Sequence, residues 1–328
     1  MRRRHFIAGV GSASVMWPII ARAQQQAGKM RRIGILTGGS GADSQARLRV
    51  FLDALPPLGW VDGQNVEIHI RQGGGDPSTI RKAGAELVEL APDILVANGG
   101  TATLRLIQAT ATIPIVFSFV PDPVGSGFVQ SLSRPGGNAT GFMQFEYSLS
   151  GKWLELLKEM VPGVRRVAVL RDPTVPAGIG QFAIIQAVAA SLQIEVSPIN
   201  VRDPAEIERD IAALAERSDV GLIVASSTNA LVHRTLIVEL AARHKLPTIY
   251  SQREFVIGGG LVSYAADFNA QLRNAAVYVN RILKGEKPSD LPVQAPTKYE
   301  LVINLKTAKA LGFAIPTAMI VRADELIE

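Results

Sequence analysis

The chain has 328 residues, no cysteine and a formal net charge of +5. The absence of cysteine excludes disulfides, thiolate catalysis and a cysteine-linked lipid anchor. Four cationic residues (Arg2, Arg3, Arg4 and Arg22) lie in an N-terminal stretch without Asp or Glu, which leaves the remainder near neutral and gives nucleic-acid binding no electrostatic support.

That stretch has the layout of an export signal. Arg2 to Ile7 place charge ahead of apolar residues, a small or apolar run follows from Ala8 to Ile20, and Ala21-Arg22-Ala23 forms a small-x-small cleavage site. The Arg3-Arg4 pair, one residue ahead of Phe6, fits a twin-arginine signal. The run is too short for a bilayer-spanning helix. The reading is therefore a signal over 1–23 and a mature protein from Gln24 that works in a bacterial periplasm. Its roughly 305 residues, from a chain that is 47% hydrophobic, supply a sizeable core and about two domains' worth of length.

Beyond the signal, short Val- and Ile-rich runs alternate with helical patterns. Strands are expected at 33–36, 66–68, 94–97 and 113–117, with helices around 45–55, 79–90 and 103–109. After Gly141 the pattern restarts. Trp153, Leu156, Leu157 and Met160 mark one helix face, strands recur at 167–170, 194–196, 222–225 and 248–250, and helices fall around 181–192, 205–216 and 231–244. Then 261–264 reads as a strand. Asp267 caps a helix whose apolar face carries Phe268, Leu272, Ala275, Val279, Ile282 and Leu283, and 301–303 reads as a further strand.

Two successive α/β blocks with parallel sheets imply two similar lobes. No Gly-, Ser- or Pro-rich tract separates them near 140–148, so they share a cleft. The tail segments return to the first lobe and cross again, which gives three interlobe crossings. The first lobe is drawn over 31–141 plus 266–291, and the second over 142–265 plus 292–328.

Several stretches carry a resemblance to a known family: Ala21–Gln25, Asp122-Pro123-Val124-Gly125-Ser126-Gly127-Phe128-Val129, Arg134-Pro135-Gly136-Gly137-Asn138-Ala139-Thr140-Gly141, Arg281–Gly285, and Tyr299 through Ala308. In these the chain resembles the substrate-binding proteins of ABC transporters related to tryptophan- and tyrosine-binding lipoproteins. The resemblance implies a type I periplasmic-binding fold: two Rossmann-like lobes with the ligand between them, no catalytic activity, and delivery to a membrane permease with its ATPase. The chain departs from the family pattern in three places. It has no lipid-anchoring cysteine, it carries Arg171-Asp172-Pro173 where many members have Asn-Pro, and it carries Tyr264-Ala265 where many have Tyr-Gly.

In open parallel sheets, ligands sit beyond the carboxyl ends of the strands, where helix N-termini suit a carboxylate. On that rule the first lobe offers Ser40, Asn98 with Thr101 as the carboxylate site, and Phe117 with Ser118. The serine and threonine have helix capping as their competing role, and the phenylalanine has core packing. Phe145 follows the first crossing as a ring wall. The second lobe offers Asp172 for a ligand ammonium or as a turn former before Pro173, together with Ser226, Thr228, Tyr250 and Tyr264. One anionic end, one cationic end and an apolar middle fit an aromatic or branched amino acid; a simple carboxylate fits if Asp172 is structural.

No enzyme or cofactor motif stands out. His5, His69, His233 and His244 are scattered without H-E-x-x-H spacing. There is no P-loop, no dinucleotide fingerprint and no G-x-S-x-G elbow after a strand. Glu206, Glu208 and Asp210 fit a solvated helix face. A monomeric transport-associated binding protein without metal or cofactor is the leading expectation. A periplasmic sensor docking on a receptor comes next, then an α/β enzyme.

Overall fold

The computed structural model describes residues 30–328, and the signal read over 1–23 lies outside the described residues. The first block builds β1 (Arg31–Thr37), α1 (Ala42–Asp53), β2 (Val66–Gln72), α2 (Pro77–Glu89), β3 (Ile94–Asn98), α3 (Gly100–Ala109), β4 (Ile115–Val120) and β5 (Ala139–Met143). These strands form one sheet in the order β2-β1-β3-β4-β5. Ile33 of β1 stands opposite Ile68 on one side and Ile94 on the other, in parallel register. The β1–β3 core of the sheet is the continuous apolar pattern of strands covered on both faces.

The second block follows as α4 (Leu149–Met160), β6 (Arg166–Arg171), α5 (Pro176–Ala189), β7 (Glu195–Asn200), α6 (Pro204–Ala215), β8 (Val220–Val224), α7 (Thr228–Val232), α8 (Arg234–Arg243), β9 (Thr248–Tyr250), α9 (Arg253–Ile257) and β10 (Val262–Ala266). Next come α10 (Phe268–Leu283), β11 (Tyr299–Asn304), α11 (Leu305–Leu311), α12 (Thr317–Arg322) and β12 (Glu325–Ile327). The second sheet runs β12-β11-β10-β9-β8-β6-β7. It is parallel except where β11 pairs antiparallel with β10, because the chain has left for the first lobe and returned between them.

That excursion is α10. Asp267 accepts the Ala270 amide at 2.9 Å and caps the helix. Leu272, Ala275, Val279 and Ile282 then join Ile33, Ile35, Val96 and Val116 in one apolar cluster of the first lobe. After α10 the backbone pairs Gln294 with Phe142 before returning to β11. The chain thus passes between the sheets after β5, between β10 and α10, and again before β11.

Each lobe has its own core. Trp153 on α4 is 1% exposed among residues of the second lobe, and its indole Nε1 donates to the Tyr264 carbonyl at 2.7 Å. A buried Trp of this kind contributes roughly 3–5 kcal/mol against Ala.

Some elements differ from the sequence expectation. β5 was not expected, because Ala139–Met143 lacks the β-branched run that marks the other strands. The helix expected over 231–244 is two helices, broken at His233. β4 runs to Val120 through a register shift at Phe119, whose φ is 60°. A non-glycine residue in that region is a strained position held by its surroundings.

Gly141 passes so close to β4 that a Cβ there would strike the Phe117 backbone. Neither backbone can shift without breaking the β4–β5 ladder. Gly141→Ala is therefore expected to destabilise by about 2–4 kcal/mol, read as a fall in melting temperature of roughly 5 °C or more.

Candidate functional site

The carboxyl ends of both sheets face each other across the seam between the lobes. In the first lobe, Gly99 has φ 95° and α3 begins without a side-chain cap. Thr103 Oγ1 turns back to the Gly99 carbonyl at 2.9 Å, and a Cβ at Gly99 or Gly100 would meet nothing within 4 Å. The first amides of this ten-residue helix are thus approachable, with the partial positive charge of the helix end behind them. Thr101 is exposed on that turn and is not the cap, Asn98 ends β3 half-buried, and Ser40 is exposed ahead of α1.

The second lobe uses its strand-end residues differently. Asp172 is 3% exposed. One of its oxygens takes the amide (2.9 Å) and hydroxyl (2.5 Å) of Thr174, and the other takes Asn229 Nδ2 at 2.8 Å. Its carboxylate closes the loop after β6 and ties it to α7, which is the turn-forming role. Ser227 caps α7 through the Ala230 amide at 2.9 Å, leaving Thr228 exposed on its first turn. Tyr264 is half-buried with its ring 5.8 Å from that of Tyr299.

Three expected ring contacts are corrected. Phe117 is 0% exposed in the core beneath α2 and α3, because its side chain points to the packed face of β4. Tyr250 is 1% exposed and stacks on Phe255 at 5.0 Å, and burial pushes its phenol well above the ordinary range. Phe145 is 4% exposed in the cluster around Trp153. Tyr147 is another half-buried ring here, edge-on to Phe145 at 5.5 Å. Burial first, and then the Asp122 carboxylate of the first lobe, push its phenol up. Its ring occupies the space a side chain at Gly180 would need.

Ser226, offered by the sequence, is the centre of a cluster that joins the lobes, but the glutamines around it were missed. Gln144, just past β5, donates to Ser226 Oγ at 3.3 Å, and Gln252, just past β9, donates to the same oxygen at 3.2 Å. Gln181 on α5 accepts the Ser226 amide at 2.9 Å. Gln271 on α10 donates to the Gln144 carbonyl at 3.4 Å. This is one connected cluster of four glutamines and a serine spanning the seam. The strand-end rule applies to Gln144 and Gln252. Gln181 and Gln271 were available only as polar residues on otherwise apolar helix faces. Ser118, behind the first lobe's end of the seam, is 1% exposed, and its hydroxyl has no partner among the described residues.

Beside this cluster, α1 reaches the second lobe with two ion pairs of opposite sense. Asp43 meets Arg234 at 2.9 Å and Arg47 meets Glu254 at 2.6 Å. The Arg47 guanidinium also lies 5.2 and 5.3 Å from the Phe119 and Phe268 ring centres. A cavity of about 250 Å³ opens there, lined by Arg47, Val50, Glu254, Ile257, Ala266 and Phe268 among others. At Asp267 burial opposes ionisation, but the Ala270 amide and Lys298 hold its carboxyl below the usual range. Among the described residues there is no group of His, Cys, Asp and Glu suited to a metal, and no helix long and apolar enough to cross a membrane.

Two α/β lobes joined by three crossings and closed on each other through polar contacts define a type I periplasmic-binding fold. The chain belongs to the ABC transporter substrate binding protein family, whose model matches residues 33–327. Its relatives include a tyrosine-binding protein of Clostridioides difficile (strain R20291), 28% identical over 261 residues that cover 80% of this chain and 75% of that protein. A Streptococcus pneumonia ABC domain solved in complex with L-Trp superposes with a TM-score of 0.82 at 26% identity, covering 91% of this chain and 100% of that one. A conserved domain protein of Vibrio cholerae gives a TM-score of 0.81 at 28% identity, with the same coverage. The family consists of substrate-binding proteins rather than enzymes.

Exposed ion pairs contribute about 0–1 kcal/mol, and the more shielded Arg47–Glu254 pair is the firmer of the two across the seam. Arg47→Glu or Glu254→Arg alone is expected to expand the protein in small-angle scattering at low salt. The double exchange should restore the compact profile. Unchanged profiles in both single variants would remove the pair from lobe closure.

Proposed function

We propose that this chain is the periplasmic solute-binding component of an ABC importer. It captures a small carboxylate-bearing compound of the aromatic or branched amino-acid class and presents it to a membrane permease and its ATPase. Residues 1–23 direct export and are removed near Ala23. The protein acts as a monomer, needs no cofactor and catalyses no reaction. The moving units follow the two sheets rather than the bounds read from the sequence: the first sheet with α10, and the second sheet, with the crossings after Met143, after Ala266 and ahead of Tyr299.

The observation that carries this reading is the uncapped, approachable start of α3 at Gly99–Thr101, beyond the carboxyl end of β3. Backbone donors at a helix N-terminus suit a carboxylate. The likeness to a tyrosine-binding protein and to an L-Trp complex supports the ligand class. Ligand contact with both lobes favours the closed form through its differential affinity for the two states.

The test is a thermal-shift screen on protein unfolded and refolded to strip carried-over ligand, against amino acids, aromatic acids, branched acids, sugars and nucleosides. A ligand at 100 times its dissociation constant adds about 2.7 kcal/mol of stability. A selective shift with an aromatic or branched amino acid is expected, and a response confined to sugars or nucleosides would contradict the reading. Thr101→Ala should weaken that ligand by about 1 kcal/mol, roughly five-fold, with no change in the ligand-free melting temperature. An unchanged dissociation constant would remove Thr101 from the site.

A further inference from the structure

The polar cluster at the seam presents its free atoms in a definite pattern. The Gln252 amide is pinned at its nitrogen by Ser226 at 3.2 Å, and its Oε1 has no partner among the described residues. The Gln271 amide is pinned at its nitrogen by the Gln144 carbonyl at 3.4 Å, and its Oε1 is likewise unpartnered. Gln181 is pinned the other way round. Its Oε1 takes the Ser226 amide at 2.9 Å, leaving Nε2 without a partner among the described residues. The three side chains belong to residues only 3%, 5% and 0% exposed. Buried polar groups without partners are unfavourable, and native proteins keep few of them without a function.

We propose that Gln252 and Gln271 together receive the ammonium group of the ligand, the role the sequence had suggested for Asp172. The assignment rests on the capture reading above and adds which residues read the cationic end. Among these three amides, two free carbonyl oxygens stand against one free N–H, and Ser251 beside Gln252 adds a buried free hydroxyl; the other free donor at these strand ends is Arg171 Nε at the end of β6. At the amides a carboxylate would meet a single donor, whereas an ammonium brings three donors to two acceptors. Asp172 is committed to Thr174 and Asn229 on both of its oxygens. The carbonyls are neutral, so they solvate a cation without a second buried charge that would need compensation when the site is open.

The placement also couples recognition to closure. Gln271 lies on the helix that packs into the first lobe, and Gln252 follows the central strand β9 of the second. In the closed form their free oxygens are shut off from solvent, so the ligand reaches them through an open form. An ammonium held by both then draws the lobes together as it satisfies them.

The test is titration calorimetry with three matched pairs: L-tyrosine, L-tryptophan and L-leucine, each against the acid that lacks only the amino group. Wild-type protein should prefer at least one amino form over its partner by ten-fold or more. Gln252→Met and Gln271→Met, similar in length but unable to accept a hydrogen bond of that strength, should reduce this preference to within three-fold. Melting curves establish that each variant folds. Gln252→Glu and Gln271→Glu keep size and acceptor while adding charge, and should widen the preference for the amino form, which keeps the test decisive if a Met variant does not fold. Equal binding of the paired ligands by the wild type, or a ten-fold preference that survives both Met substitutions, would overturn the assignment and leave capture standing. If none of the six compounds binds, the capture reading itself fails, and this assignment with it.

Discussion

Apolar burial in this protein is confined within the lobes, and that constraint governs the rest of its behaviour. Four apolar clusters pack the described residues, and each gathers around one of the two sheets only. The seam between the lobes is instead closed by amide hydrogen bonds and two ion pairs. Packed cores resist deformation, so the proposed closure would move each lobe as a body. Polar contacts exchange readily with water, so separating the bodies sacrifices little hydrophobic stabilisation. Three backbone crossings keep the lobes tethered, which suits the proposed hinge.

The chemistry of the seam follows from how its charges are used. Asp172 closes a turn, Asp267 caps α10 and pairs with Lys298, and the charged residues of α1 pair across the lobes. The buried groups left without a partner among the described residues are mostly neutral (amide oxygens, two amide nitrogens and hydroxyls, against Arg105 Nε, Arg171 Nε and Glu254 Oε2), and the first turn of α3 is open. A polar small molecule with both donor and acceptor ends matches that set better than a large apolar or multiply charged one. The strained backbone at Phe119, with the Arg47 guanidinium beside its ring, sits at the same seam. Strain of this kind persists where surrounding contacts over-determine a conformation.

Much of the architecture was legible in the sequence because strands such as Ile94–Asn98 and helices such as α10 carry strong apolar periodicity. β5 was not legible, since its pairing depends on Gly141 fitting against β4 rather than on β-branched side chains. For the site, the strand-end rule found the right neighbourhood but not the face. Tyr250 ends β9 yet points into the core, and Phe117 lies within β4, which runs on to Val120; both orientations are set by register across the whole sheet. The strand-end rule reaches Gln144 and Gln252, but the glutamine cluster they form could not be read for another reason. Its bonds join residues 45, 82 and 127 positions apart, and nothing local distinguishes a glutamine that meets such partners from one that faces water.

The account stands or falls on closure about a ligand, and the absence of cysteine makes that directly measurable. Lys82 on α2 and Gln186 on α5 are exposed, one on each lobe, and Lys82→Cys with Gln186→Cys gives a unique pair for spin labels. Double electron–electron resonance should show a broader, longer distance distribution in stripped protein and a single shorter one when it is saturated with the ligand found by thermal shift. Identical distributions with and without a tightly bound ligand would contradict the hinged clamp.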